Sequence, residues 1–170
     1  MSPRPLRNAT SDDIRQLSDV LIDCVDGGAS VSFMSPLTRA KADAFWQASA
    51  ASAERGERLI LVADDDRGIV GTVTVILNLP ENQPHRADVA KMLVHRRARR
   101  RGMAASLLAA AEQAARDVGR SLLVLDTVTG GDAERLYARN GWTRCGVIPN
   151  YALFPDGRPC STTVFYKSLV

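Results

Sequence analysis

An α/β fold, a mixed sheet with helices on both faces, is the class the sequence predicts. Three observations carry it. Short apolar runs rich in β-branched residues alternate with stretches of helical periodicity. The elements fall in the order β-α-α-β-β-β-α-β-α-β-β. One apolar run, Val89 to Val94, passes through an arginine-dense turn with a single glycine into an Ala/Leu-rich helix.

The elements follow in order. Leu6 to Ala9 reads as a short first strand. Thr10-Ser11-Asp12-Asp13 supplies hydroxyl and carboxylate caps for a helix. Its apolar face is Ile14, Leu17, Val20, Leu21 and Val25, and Gly27-Gly28 stops it. Ser35-Pro36 opens a second helix, with Ala40, Ala44, Phe45 and Ala48 on one side. Arg58 to Ala63 is a buried strand, Asp64 to Gly68 a turn, and Ile69 to Leu79 the second arm of a hairpin. After a polar loop, Pro80 to Pro84, comes the strand Asp88 to Val94. The helix that follows runs from about Arg101 to Val118 and ends at Gly119. Ser121 to Leu125 is a strand, Asp132 to Arg139 a short helix closed by Asn140-Gly141, and Trp142 to Val147 a strand. Pro155 to Arg158 is a turn and Ser161 to Leu169 the last strand.

Composition narrows the function. At 170 residues the chain is expected to form one domain, 1–170. Nothing approaches the roughly 20 apolar residues of a membrane span. Met1 to Pro5 lacks the apolar region of a secretory signal, so a cytoplasmic location and no membrane partner are expected. Three cysteines, Cys24, Cys145 and Cys160, and two histidines, His85 and His95, make no metal-binding spacing, so no metal is expected. The net charge is only +3, yet Arg96, Arg97, Arg99, Arg100 and Arg101 concentrate positive charge in one turn. Such a cluster suits a polyanionic ligand. Without interleaved aromatics or helix-turn-helix spacing, it is not read as a nucleic-acid patch.

The position of the cluster gives it chemistry. The first amides of a helix have no internal acceptor, and the helix dipole adds partial positive charge there. A glycine at that point lets the backbone approach a phosphate closely. No G-x-x-x-x-G-K-[ST] and no G-x-G-x-x-G after a strand occurs in the chain.

Arg99-Arg100-Arg101-Gly102-Met103-Ala104 fits Arg/Gln-x-x-Gly-x-Gly/Ala, and so resembles the coenzyme A pyrophosphate motif of the GNAT N-acetyltransferases. Ala133-Glu134-Arg135-Leu136-Tyr137-Ala138-Arg139-Asn140-Gly141-Trp142 resembles the second motif of that family. The resemblance implies a GNAT acyl-CoA N-acyltransferase domain with a splayed sheet, and acetyl-CoA as co-substrate. It places the pantetheine arm along Met92, Leu93 and Val94, and the pyrophosphate on the amides of Arg99 to Ala105. Ala133 and Tyr137 then flank the sulfur end, with Tyr137 a proton donor to the departing thiolate. The competing reading makes Tyr137 a core aromatic beside Leu136 and Trp142. Seven residues before the tyrosine, where many members carry an asparagine that holds the cofactor arm, this chain has Gly130.

Two carboxylates are candidates for the general base. Asp88 stands where many members have a glutamate, and strand alternation puts it on one face with Ala90, Met92 and Val94. It reads equally as a solvated carboxylate beside Arg86. Asp126 lies at the C-terminal end of an apolar strand, where open α/β sheets bind ligands. It reads otherwise as a turn or capping residue. Gly27 to Met34, His85 to Lys91, Leu125 to Thr127, and Tyr151 with Pro155 to Arg158 resemble a branch of the family that acts on an amino-acid-like toxin. That implies a small amine-bearing or hydroxyl-bearing acceptor, contacted by Phe33, His85, Asp126 and Tyr151. Phe33 reads equally well as a core residue. Direct transfer in a ternary complex is expected, because no cysteine falls in either motif. A protein N-terminus or lysine as acceptor, a non-catalytic acyl-CoA sensor, and a homodimer all stay open.

Overall fold

A computed structural model describes residues 2–170. The strands are β1 (Arg4–Pro5), β2 (Arg58–Asp65), β3 (Gly68–Ile76), β4 (Arg86–Val94), β5 (Leu122–Val128), β6 (Thr143–Leu153) and β7 (Pro159–Ser168). The helices are α1 (Ser11–Asp26), α2 (Arg39–Glu54), α3 (Met103–Asp117) and α4 (Asp132–Arg139), with one 3-10 turn at Arg96–Ala98. One sheet orders the strands β1-β2-β3-β4-β5-β7-β6. The β4–β5 pair is parallel and every other neighbour antiparallel.

Two apolar cores lie on the two faces. Leu17, Leu21, Trp46, Val62 and Leu93 pack between the sheet and α1 and α2. Val73, Val89, Leu107, Ala111, Leu125 and Phe165 pack beneath α3 and α4. Helices α1 and α2 lie over β2 to β4, and no helix packs extensively over β5, β7 and β6 on that face. Helix α1 starts on a capping box: the Asp13 amide donates to Thr10 Oγ1 (3.1 Å), and the Thr10 amide donates to the Asp13 carboxylate (2.9 Å). Helix α3 lies close on β3 because Gly71 has no side chain. A Cβ there would stand 2.9 Å from Leu107 Cδ1 and 3.2 Å from the Leu93 carbonyl.

The expected element order is present, with four local differences. The first strand is Arg4–Pro5, with Leu6 still donating its amide to Ile60 (2.8 Å). Helix α2 begins at Arg39 behind the Thr38 cap and buries Ala42, Trp46, Ser49 and Ser52; Ala40, Ala44 and Ala48 are exposed. Burying an indole removes far more apolar surface than burying three methyls, and Ser49 and Ser52 are satisfied by Arg58. Strand β5 continues past Asp126 to Val128, so Asp126 is within it.

The fourth difference is in β4. The register against β3 shifts between Thr72 and Thr74, and Lys91 has φ +51°. This is a bulge, and it reverses the alternation. Ala87 and Val89 belong to the α3-side core, as do Met92 and Val94, whereas Leu93 belongs to the α1-side core. Asp88 and Ala90 therefore do not share a face with Met92 and Val94, contrary to simple alternation.

The parallel pair sets the stage for the site. Strands β4 and β5 are in register at Arg86–Leu122, Ala87–Leu123 and Asp88–Val124 only. Both then continue, to Val94 and Val128, without pairing to each other. The sheet opens there.

Candidate active site

On the α3 side of the split, the arginine turn leads into a helix start with free amides. Arg99 is extended, Arg100 is left-handed (φ +60°) and Gly102 is left-handed (φ +76°) at the N-cap of α3. A left-handed non-glycine residue costs about 1–2 kcal/mol. No side chain caps α3 and no acidic residue occupies its first turn. Its first backbone bond is from the Ser106 amide to the Gly102 carbonyl (3.0 Å), and the amides of Met103, Ala104 and Ala105 find no acceptor. The other three helix starts differ: α1 and α4 carry acidic residues in their first turns, and α2 is capped by Thr38, whose side chain accepts from the Lys41 amide (3.3 Å). Met103 contributes its amide alone, since its side chain is in the core.

The five arginines divide in two. Arg96 pairs with Asp23 through its guanidinium and also donates its amide (2.8 Å) to that carboxylate. Arg97 holds Asp65 (3.1 Å) and the Ile69 carbonyl (3.3 Å). Arg99 donates to the Val94 carbonyl (3.0 Å). Arg100 and Arg101 are exposed and make no hydrogen bond or ion pair among the described residues. Part of the charge that looked available to a ligand is thus internal scaffolding.

Along the split, Ala90 to Val94 pair with β3 on one side only. The Val94 carbonyl is not free, since Arg99 Nε and Cys24 Sγ (3.6 Å) both donate to it. Ala133, on α4, packs half-buried against the α3-side core. Gly130 (φ +81°) donates its amide to Glu134 and accepts from Arg135 Nη1 (3.1 Å). Both polar groups of its backbone are engaged, so it does not replace the missing asparagine.

Tyr137 is 4% exposed and packs against Trp142 (centroids 5.7 Å) and Phe165 (6.0 Å). Its hydroxyl makes no hydrogen bond, yet it is not among the sealed, unpartnered polar atoms. Burial, with the nearby charge of Asp126, pushes its pKa above the ordinary value. Both sequence readings of Tyr137 therefore describe part of it: the ring is core, and the hydroxyl is at an opening.

On the other face, Asp126 is exposed and accepts from Thr162 Oγ1 (2.7 Å). Asp88 shares that face but is paired with Arg86. Phe33 is half-buried, edge-on to Phe45 (5.2 Å). The α1–α2 loop that carries Phe33 is fastened to the β6–β7 hairpin. Ser30 Oγ donates to the Leu153 carbonyl (2.7 Å) and the Ser35 amide to the Pro155 carbonyl (3.0 Å).

Two expected acceptor contacts fall outside this grouping. His85 is exposed at the closed end of β4, where its carbonyl receives the Ser121 amide (2.8 Å). At about 3.3 Å per residue, it lies roughly 20 Å along the strand from Lys91. Tyr151 is 55% exposed on the edge strand and makes no hydrogen bond. The larger of two recorded cavities, about 340 Å³, is also remote, lined by Leu6, Arg7, Ala53 and Ile60 at the β1 edge. Among the described residues, no group of three or more His, Cys, Asp or Glu could hold a metal ion, and no helix is long and apolar enough to cross a membrane.

Sequence reasoning missed Lys91. The bulge turns it toward α2, where Nζ donates to Ser32 Oγ (3.2 Å) and sits 5.6 Å over the Phe45 ring. Burial pulls its pKa below the ordinary value, Asp126 opposing and Arg58 adding. The signal was present: a lysine inside the apolar run Val89 to Val94 needs a reason.

A split parallel pair over an uncapped helix N-terminus, with a phenol at the opening, is an arrangement that can take a long anionic ligand into the sheet. A family model described as an acetyltransferase (GNAT) domain matches residues 56–144, more than half of the chain. The chain belongs to the GNAT acetyltransferase family. Solved structures with the same fold include a ribosomal-protein-alanine N-acetyltransferase from Brucella melitensis (22% identity, 99% of each chain, TM-score 0.80). An N-acetyltransferase from Staphylococcus aureus Mu50 matches at 17% identity over 100% of each chain (TM-score 0.81). YncA from Salmonella typhimurium, solved with its cofactor acetyl-CoA, matches at 18% identity (100% of this chain, 94% of that one, TM-score 0.81).

Proposed function

We propose that the protein transfers the acetyl group of acetyl-CoA to the amine of a small, amino-acid-like acceptor, directly within a ternary complex. The observation that carries this reading is the sheet opening beyond Asp88 and Val124. It sets the free amides of Met103 to Ala105 and the Tyr137 hydroxyl on one side, and Asp126 on the other. The amides and the unpaired Arg100 and Arg101 take the pyrophosphate, and the free edge of Met92 and Leu93 takes the pantetheine arm. That YncA was solved with acetyl-CoA supports the same cofactor here.

Asp126 is the better base of the two carboxylates. Asp88 is held by the Arg86 guanidinium, whereas Asp126 accepts from one hydroxyl and faces solvent. Asp126 removes a proton from the acceptor ammonium, through water where contact is not direct. The amine lone pair then attacks the thioester carbonyl, the second proton leaves the nitrogen to water, and the tetrahedral intermediate collapses with loss of coenzyme A thiolate. Tyr137 donates a hydrogen bond to that sulfur. A phenol pushed above its ordinary pKa does not pass its proton downhill to a thiolate whose acid has pKa about 8.5. Its role is to stabilise the leaving charge, with the final proton drawn from solvent.

Gly27 to Met34, His85 to Lys91, Leu125 to Thr127, and Tyr151 with Pro155 to Arg158 are similar to the tabtoxin resistance acetyltransferase. That likeness supports an amino-acid-like toxin or antibiotic as one acceptor to test. A thermal melt with acetyl-CoA, coenzyme A, ATP and NADH in parallel tests the cofactor. At 100 times Kd, acetyl-CoA is expected to add about 2.7 kcal/mol, a shift of several degrees. Thiol release with amino acids, β-lactams and N-terminal peptides then separates a small-molecule enzyme from a protein acetyltransferase. A melt shift without turnover on any amine marks a sensor, and the absence of a shift with acetyl-CoA removes the reading.

A further inference from the structure

We infer that the acceptor is a zwitterion: Lys91 binds a carboxylate of the acceptor while Asp126 binds its ammonium. This rests on the acetyltransferase reading above and names the chemistry of its second substrate.

The argument starts from the bulge. A regular β4 would carry the Lys91 side chain on the face of Ala87 and Val89, into the α3-side core. The register shift and the left-handed backbone at Lys91 put it on the α1–α2 face. Asp126 is on the same face, because its partner Thr162 shares it, and Cys160, two residues earlier, meets Ser30 of the α1–α2 loop (3.6 Å). Two opposite charges thus face one another across the open end of β4 and β5. Lys91 is three residues and Asp126 two residues beyond Asp88–Val124, the last paired position of the two strands, and no ion pair within 4.0 Å joins them.

Neither charge is satisfied. An ammonium has three donors, and Lys91 uses one, on Ser32 Oγ. Its other contact, the Phe45 ring at 5.6 Å, shields it from water on one side. Asp126 has one donor, Thr162 Oγ1. A half-buried cation with spare donors, held apart from a carboxylate with spare acceptors, is complementary to a ligand carrying both charges in the opposite order. A plain amine leaves the Lys91 donors unmet, and a peptide N-terminus lacks the nearby carboxylate. Phe33 and Phe45, edge-on at 5.2 Å, leave an apolar wall for the part of the acceptor beside its carboxylate.

The test uses the twenty amino acids and their C-terminal amides as paired probes. Each pair offers the same amine with and without the anion. The ratio of kcat/KM for acid over amide is measured for wild type, Lys91→Met and Lys91→Arg, with the acetyl-CoA melt shift as a control on folding and cofactor binding. Wild type is expected to prefer the best acid by about tenfold to a hundredfold, the worth of a charge-assisted hydrogen bond. Lys91→Met is expected to bring that ratio to about one, and Lys91→Arg to keep most of it. The proposal is overturned if wild type prefers amides, if it acetylates other amines but no acid, or if Lys91→Met keeps the preference. Failure of the acetyltransferase reading shows separately, as absence of the wild-type melt shift or as a shift with no turnover of any amine.

Discussion

The two sides of the split are built from different parts of the chain. Apart from Tyr137 at the sulfur end and the Arg100 and Arg101 side chains, the proposed cofactor side is one continuous segment, Met92 to Ala105, that works through backbone: an unpaired strand edge, a left-handed arginine and glycine, and three free amides. The proposed acceptor side is assembled from Ser32, Phe45, Lys91, Asp126 and Thr162, on five separate elements, and it would work through side chains. A backbone seat survives most substitutions, since every residue but proline supplies an amide. A side-chain site changes its ligand with one substitution. One fold can therefore keep its acyl donor while its acceptor changes.

The largest expected effect breaks the link between the two sides. Tyr137 is in the cofactor-side core, yet it feels Asp126 across the opening. Tyr137→Phe keeps the ring packing against Trp142 and Phe165 and removes the hydrogen bond to the leaving sulfur. Steady-state kinetics should show kcat down about a hundredfold, with KM for acetyl-CoA little changed. An unchanged kcat removes Tyr137 from the mechanism.

The same contrast explains what the sequence made legible. The element order, both motif helices and the glycine start of α3 could be read directly, because each depends on a local run: periodicity for the helices, a strand–glycine–helix order for that start. The β4–β5 split came only from the family resemblance. The bulge at Lys91 was not legible, since a single left-handed lysine leaves no pattern, and it reversed the face assigned to Met92 and Val94. The α2 face was misread because alanines have no strong preference for either side of a helix, and Trp46 decided it. His85 was grouped with Asp126 by sequence likeness, but strand direction puts it at the closed end.

The division among the arginines sharpens the comparison further. Arg96→Ala leaves Asp23, only 9% exposed, with the more distant Arg99 guanidinium (4.0 Å) alone. It should destabilise the fold by about 1–2 kcal/mol, moderated by the exposure of Arg96 itself, and lower the melting temperature by several degrees. The Arg100→Ala/Arg101→Ala pair loses no internal contact and should leave that temperature within a degree or so. Its acetyl-CoA affinity should fall about tenfold at low salt and differ less from wild type as salt rises. If the two variants exchange phenotypes, the assignment of scaffold and seat arginines is wrong.

The smallest effect joins the seat to pH. His95 Nδ1 accepts from the Arg97 amide (3.1 Å) at the entry to the arginine turn, and Nε2 is 3.6 Å from Asp23. Desolvation pulls its pKa below the ordinary value; Asp23 opposes this, and Arg97, Arg96 and Arg99 reinforce it. The folded state therefore favours neutral imidazole. The stability this contributes is complete above the unfolded pKa of about 6.5 and is lost as pH falls through the lower folded value. Protonation also turns Nδ1 from acceptor to donor, which breaks the bond from the Arg97 amide. His95→Asn keeps an acceptor for that amide and cannot titrate. Between pH 7.5 and 5.5 its melting temperature should fall about a degree or two less than that of wild type, because the carboxylates that titrate over the same range are common to both chains and cancel in the difference. Parallel curves mean that His95 does not couple protonation to the turn, and the seat is then held by Arg96, Arg97 and Arg99 alone.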